Sequence, residues 1–409
     1  GSYNTATGLS ALVKNTTGSY NTATGVDALF ANTTGANNSA VGYASLDANT
    51  TGTDNIAVGY NSLGANTTGS GNVALGDYAL DANTTATYNT AVGYSAGGAV
   101  TTGIQNTLIG SLAGDALTDA DYNVAVGRLS LSADTLGSRS VAIGYNTLGT
   151  QNFTSATNSY NTAVGHGAGA AVTTGQYNTI IGGLAGDSLT TGGDNVAIGF
   201  EALSTEDAHG SSVAVGMRAL KDQNAGAHSY NVAVGKGAGQ VVTTGIYNTF
   251  IGGQSGDANT TASNNTAVGY ASLGANTTGG ANTAIGTSAL GSNTTASHNT
   301  ASGNNAGDSI TTGNWNTAIG SQALHTVTTG ESNTAVGAYA LDVATGSHNN
   351  AIGVNALGAC TSGSQNQSMG YGSAGNITTG TGNITIGNQA GDNITTGSSN
   401  IIIGANVDA

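Results

Sequence analysis

The sequence predicts an all-β chain, a parallel β-solenoid (a β-roll) of 24 coils of about 17 residues each. Three observations carry this. A glycine-centred motif, Asn-Thr-Ala-Val-Gly as in Asn161 to Gly165, recurs 24 times between Gly8 and Gly404, and twenty of the 23 spacings are 17 residues. Proline is absent from all 409 residues, as a ladder requires when nearly every backbone N–H donates and proline has none to give. The motif is β-branched and alternates in size, which is the pattern of a strand. A period of 17 is too short for a helical repeat. At about 4.8 Å per coil the expected stack is about 115 Å long. The periodicity runs through residues 1–409 without a linker, so the chain reads as one continuous repeat domain. It opens mid-motif at Gly1 and reads as a segment of a longer fibre protein.

Within each coil, Asn-Thr-Ala-Val-Gly-Tyr is expected to form a strand and Ser-Ala-Leu a second short strand. Asn-Thr-Thr-Gly then closes the coil as a turn, where glycine and asparagine tolerate positive φ. The irregular spacings are 21 before Gly165, 19 before Gly235 and 16 before Gly353. The extra residues lie in polar stretches, Thr150 to Ser159 and Asp222 to Ser229, and are expected to bulge from a turn.

Positions are counted below from the motif glycine. A size exchange identifies the interior. Fourteen coils carry Leu at +4, among them Leu12, Leu63 and Leu203, and eight carry Gly there. In the coils of Gly114, Gly186 and Gly256 the usual Ala at −2 becomes Leu108, Ile180 and Phe250. A large side chain arrives where another was lost, as close packing demands if both fill one space. Leu12, Leu63, Leu108, Ile180, Leu203 and Phe250 are therefore expected inside the roll. Six of the glycine-type coils come in pairs, at Gly97/Gly114, Gly169/Gly186 and Gly239/Gly256, which sets a four-coil superperiod.

The opposite strand face then points outward. Position −1 is aliphatic or Met in 21 coils, including Val41, Val58, Val92, Val126, Val164, Val234, Val268 and Val336. Such a stripe cannot stay in water, and burying it is worth roughly 30–60 kcal/mol per chain as an upper bound. A homo-oligomer with chains side by side is the simplest cover. Fourteen of the 16 tyrosines occupy −5 or +1. Tyr88, Tyr160, Tyr230 and Trp315 on this rim are candidate ligand contacts, for a host-surface glycan or protein.

Composition excludes much else. Charged residues are 7%, the net charge is −15, and Lys and Arg number six. Nucleic-acid binding needs basic clusters, and the chain has no apolar run of membrane-spanning length. The single cysteine, Cys360, rules out an intrachain disulfide framework. No cofactor, metal or catalytic activity is expected. The string Gly93-Tyr94-Ser95-Ala96-Gly97 matches a nucleophile elbow only by repeat chance, without a strand-to-helix context. Gly165 to Gly169 and Gly235 to Gly239 lack the helix a phosphate loop needs. Asp115, Asp187, Asp257, Asp308 and Asp392 recur after Ala-Gly or Ser-Gly and read as turn caps rather than a calcium ladder. His298 and His348 stand where Tyr is usual. Asn-Thr-Thr at Asn15, Asn32, Asn49, Asn66, Asn83, Asn259, Asn276 and Asn293 forms glycosylation sequons on expected surface turns.

Asn195 to Gly199 (Asn-Val-Ala-Ile-Gly) and Ser140 to Tyr145 (Ser-Val-Ala-Ile-Gly-Tyr) resemble the head repeat of YadA-type trimeric autotransporter adhesins, and similar repeats occur in phage tail fibres. The resemblance covers all 24 coils, although the adhesin repeat is shorter than 17 residues. It implies a left-handed β-roll, a homotrimer around one axis and an extracellular role in attachment, on a cell surface or virion fibre. The alternatives are a repeat surface that itself binds a receptor, or a self-assembling surface filament.

Overall fold

The computed structural model describes residues 1–407 and divides into two compact units, Gly1–His209 and Gly210–Ala409. Each unit is a parallel β-solenoid. In the first, three-residue strands run from Thr5–Thr7 to Val196–Ile198, and in the second from Val213–Val215 to Ile401–Ile403, twelve in each. Within each unit, successive strands pair in parallel, motif position against motif position. Ala40 lies beside Ala57, Ala91 beside Leu108, and Ala233 beside Phe250. No helix occurs among the described residues.

The motif glycine is where backbones come closest. Gly59 has φ 135°, and a Cβ there would lie 2.6 Å from both C and O of Gly76. No other residue fits that approach or that φ.

The expected second strand does not form. Ser-Ala-Leu and its variants are turn, not strand. At Asn61 and Leu63 φ is 52° and 51°, left-handed at alternate residues, so the chain curls while still bonding to its neighbours. Asn61 N donates to Tyr43 O at 2.9 Å and Leu63 N to Ala79 O at 3.0 Å. A left-handed Leu costs about 1–2 kcal/mol. The conformation drives its side chain inward, and that burial returns about 1.5–3 kcal/mol.

Leu63, Leu108, Ile180, Leu203 and Phe250 are fully buried, and Leu12 nearly so. The structure explains why six of the eight glycine-type coils come in pairs. Leu108 lies between two glycines of successive coils: a Cβ on Gly97 would sit 2.6 Å from its Cδ1, and one on Gly114 2.8 Å from its Cδ2. Phe250 is held likewise between Gly239 and Gly256. One oversized side chain needs room above and below, so two coils give up their leucines.

The interior is also more polar than size alone predicts. Asparagines at −4 form a buried column. Asn38 Nδ2 donates to Gly52 O at 2.8 Å, closing its own coil, and its Oδ1 accepts from Asn55 N at 3.0 Å, joining the next. The same pattern runs through Asn248, Asn265 and Asn282 in the second unit. A second column lies at +7. Asn49 Nδ2 donates to Asn32 Oδ1 at 2.8 Å and to Gly52 O at 3.1 Å.

This corrects the expectation for the Asn-Thr-Thr sequons. Asn32, Asn49, Asn66, Asn83, Asn259, Asn276 and Asn293 are buried, not on surface turns. Their amides face the core and no glycan can reach them in the folded chain. Position +7 is therefore interior, and it is the place where Val100, Leu117, Val172 and Cys360 stand, all fully buried. Burial pushes the Cys360 thiol up to about 11.

The first insertion does not simply bulge. Thr157–Asn158 pairs in parallel with Gly137–Ser138, and Phe153 is buried. Gln151 and Asp134 replace +7 asparagines there. Asn161 Nδ2 donates to Gln151 Oε1 at 2.9 Å, and Gln151 Nε2 donates to Asp134 Oδ2 at 2.6 Å. Asp134 Oδ1 accepts from Gly137 N at 3.0 Å and Phe153 N at 3.1 Å. The second insertion repeats the device: Gln223 Nε2 donates to Ser212 Oγ and Ser229 Oγ, and Gln223 Oε1 accepts from Asn231 Nδ2. The longer Gln amide spans a coil widened by the extra residues.

Candidate functional surface

Because Ala at −2 points inward, positions −3 and −1 point outward. Val41 and Val58 each expose about two-fifths of their surface, at 40% and 39%, and Val234 exposes 37%. Val92, Val126, Val164, Val268 and Val336 are half-buried. Ile109, Ile181, Ile251, Ile285, Ile319 and Ile352 continue the column and are exposed. Flanking coils shield the sides of each residue, and its outer end stays bare. The result within each unit is a flat aliphatic stripe bordered by threonine.

Along the −5 rim, Tyr88, Tyr160, Tyr230 and Trp315 are exposed. The structure does not bring these four together. Three belong to local stacks: Tyr160 on Tyr177 at 5.9 Å, Tyr230 on Tyr247 at 5.6 Å, and Trp315 on His298 at 4.0 Å between ring centroids. Tyr88 lies over Gly71, where a Cβ would meet its ring. The rim residues share one left-handed backbone conformation, with φ near 60° at Tyr88, Tyr122, Arg139, His298, Trp315 and His348. Their side chains therefore leave the roll in one direction.

Two features escaped the sequence reading. In the second unit a polar groove of about 380 Å³ has Tyr339 and Tyr371 among its walls, with Asp342, Asn355, Gln389 and Asp392. Burial raises the Asp342 carboxyl, and His325, 3.5 Å away, partly offsets this. Its signal lay in Tyr339 standing one place off the usual tyrosine position. The other is Glu206, Asp207 and His209, the one group of three His, Cys, Asp or Glu side chains among the described residues whose ligand atoms lie within 4.8 Å of one another. Glu206 occupies the +7 position of its coil, like Asp134, and is buried.

The recurring Asp column stands at +5. Burial raises the carboxyls of Asp47, Asp81, Asp115, Asp257 and Asp308 above the ordinary range. Ser95 sits in the left-handed turn, φ 51°. No helix among the described residues is long and apolar enough to cross a membrane. No protein-family model matches the chain, and no curated protein matches it.

Proposed function

We propose that this chain is a non-catalytic structural segment of an extracellular fibre, built as a homotrimer with the aliphatic stripe at the shared axis and serving attachment to a host or surface. The observation that carries the reading is the stripe itself. Every coil spends its inner face on its own core and repeats the same outer face, so among the described residues no segment is spare to cover Val58, Val92 and their equivalents. Identical chains can cover one another. The number three, the left-handed coil and the setting, an adhesin or a phage tail fibre, rest on the resemblance to adhesin head repeats. The partners are then the chain itself and a host glycan or protein, without nucleic acid, cofactor, metal or membrane insertion.

The test is solution mass. Val58→Asp with Val92→Asp brings carboxylates together in a poorly solvated place and is expected to dissociate the assembly. The same change at the exposed turn residues Thr51 and Thr85 is expected to leave it intact. A monomeric unaltered chain by light scattering would refute the oligomer, and a dimer would refute the trimer alone. The groove between Tyr339 and Tyr371 supports a second reading, in which the repeat surface itself contacts the receptor.

A further inference from the structure

The geometry points to a seat for a planar cation between Trp315 and His348, fitted to the guanidinium of an arginine presented by a partner polypeptide. Four successive rim residues define it: His298, Trp315, Ser332 and His348. Their registration is fixed by the backbone. Trp315 N donates to Ser297 O at 3.3 Å, Ser332 N to Asn314 O at 3.0 Å, and His348 N to Glu331 O at 3.0 Å. All four have φ between 57° and 62°, so their Cα–Cβ bonds leave the backbone in a common direction. His298 covers one face of Trp315 at 4.0 Å and an interplanar angle of 6°. On the other side stands Ser332, too short to reach over the ring, and beyond it the exposed ring of His348. Trp315 remains 61% exposed. Two coils rise about 9–10 Å, and a flat group between two rings needs about 7 Å at van der Waals contact.

The same column already contains such a sandwich. Tyr122, Arg139 and Tyr160 are successive rim residues, and the Arg139 guanidinium lies 5.1 Å from the Tyr122 ring and 5.8 Å from that of Tyr160. Where the middle residue is arginine, the chain fills the gap itself. Where it is Ser332, the gap is left for another molecule. Charge selects a cation. Glu331, next to Ser332, is exposed, and Asn314 Nδ2 donates to its Oε1 at 3.4 Å. All six Lys and Arg residues precede position 237, so no basic side chain belongs to the coils that form the slot. A guanidinium suits the slot better than an ammonium because it is planar and stacks on aromatic faces.

Trp315 is the only tryptophan, so its fluorescence reports on the slot directly. The full chain is titrated with N-acetyl-arginine amide, and in parallel with the lysine and citrulline analogues and a methyl glycoside. The arginine amide is expected to give a saturable change with a midpoint of order millimolar, as one exposed stacking contact allows, and the others little. Glu331→Gln should weaken it about threefold. Ser332→Arg should fill the slot in cis, as Arg139 does, altering the emission of the free protein and abolishing the response. Circular dichroism checks that both variants fold. The proposal is overturned by an absent arginine response, by a citrulline or glycoside response of equal strength, or by a response that survives in Ser332→Arg.

Discussion

At the scale of single residues, the buried carboxylates set the terms. Asp134 is fully buried, and burial raises its carboxyl while Gln151 and the amides of Phe153 and Gly137 oppose the shift. The chain of donors is fixed in direction: Asn161 donates to Gln151, and Gln151 donates to Asp134. Asp134→Asn restores the usual +7 residue but is expected to face Gln151 Nε2 with a second donor. The predicted cost is about 1–3 kcal/mol, the price of one buried unsatisfied group, readable by denaturant unfolding. The half-buried Asp47, Asp81, Asp115, Asp257, Asp308 and Asp342 share a direction, their carboxyls raised by burial. The folded chain then binds protons more tightly than the unfolded one, so stability is greatest below the unfolded value of 3.8 and falls as pH rises through the raised folded values. Easing the net charge of −15 acts the same way. Melting temperature is expected to be higher at about pH 4.5 than at about pH 7.5, and a lower value at the acid end would contradict it.

At the scale of the coil, packing is a choice between two solutions: Ala at −2 with Leu at +4, or a large −2 residue with Gly at +4. Phe250→Ala is expected to cost about 3–5 kcal/mol, and Tyr88→Ala on the exposed rim distinctly less. Gly256→Leu alone overpacks against Phe250 and should cost about 1–3 kcal/mol. Together the two changes rebuild the common coil, so the double variant should be more stable than Phe250→Ala, a coupling visible in a double-mutant cycle. The repeat, the parallel pairing and the inner and outer faces were legible in the sequence because they follow from period and size. The Ser-Ala-Leu segment was not, because nothing in its residue types marks positive φ and only the tight curl forces alternate left-handed residues. The +7 asparagines were misplaced for a related reason. Asn-Thr-Thr-Gly has turn composition, and its burial shows only in the exchange of Asn for Val100, Val172 or Cys360. Of the candidate surface, the stripe and the aromatic rim could be read from position alone. The groove and the slot beside Trp315 could not, since both depend on which neighbours are short.

At the scale of the whole molecule, the sequence is a mixture of interchangeable and marked periods. Coils such as those of Gly42, Gly59 and Gly76 present the same inner asparagines and leucines, so a pairing displaced by one full period satisfies the same bonds. The marked coils lack that freedom: Leu108, Ile180 and Phe250 each need a glycine on both sides, and Gln151 needs Asp134. They penalise a displaced register that the plain coils would tolerate. The paired glycines therefore also govern how such a gene can change in length. Excision of one 17-residue period from the Gly42 to Gly76 stretch leaves like facing like and should be nearly silent, whereas excision of the period holding Gly256 but not Gly239 strands Phe250 or its partner. Recombination between plain repeats is free to lengthen or shorten the solenoid, and the marked pairs change only as whole blocks.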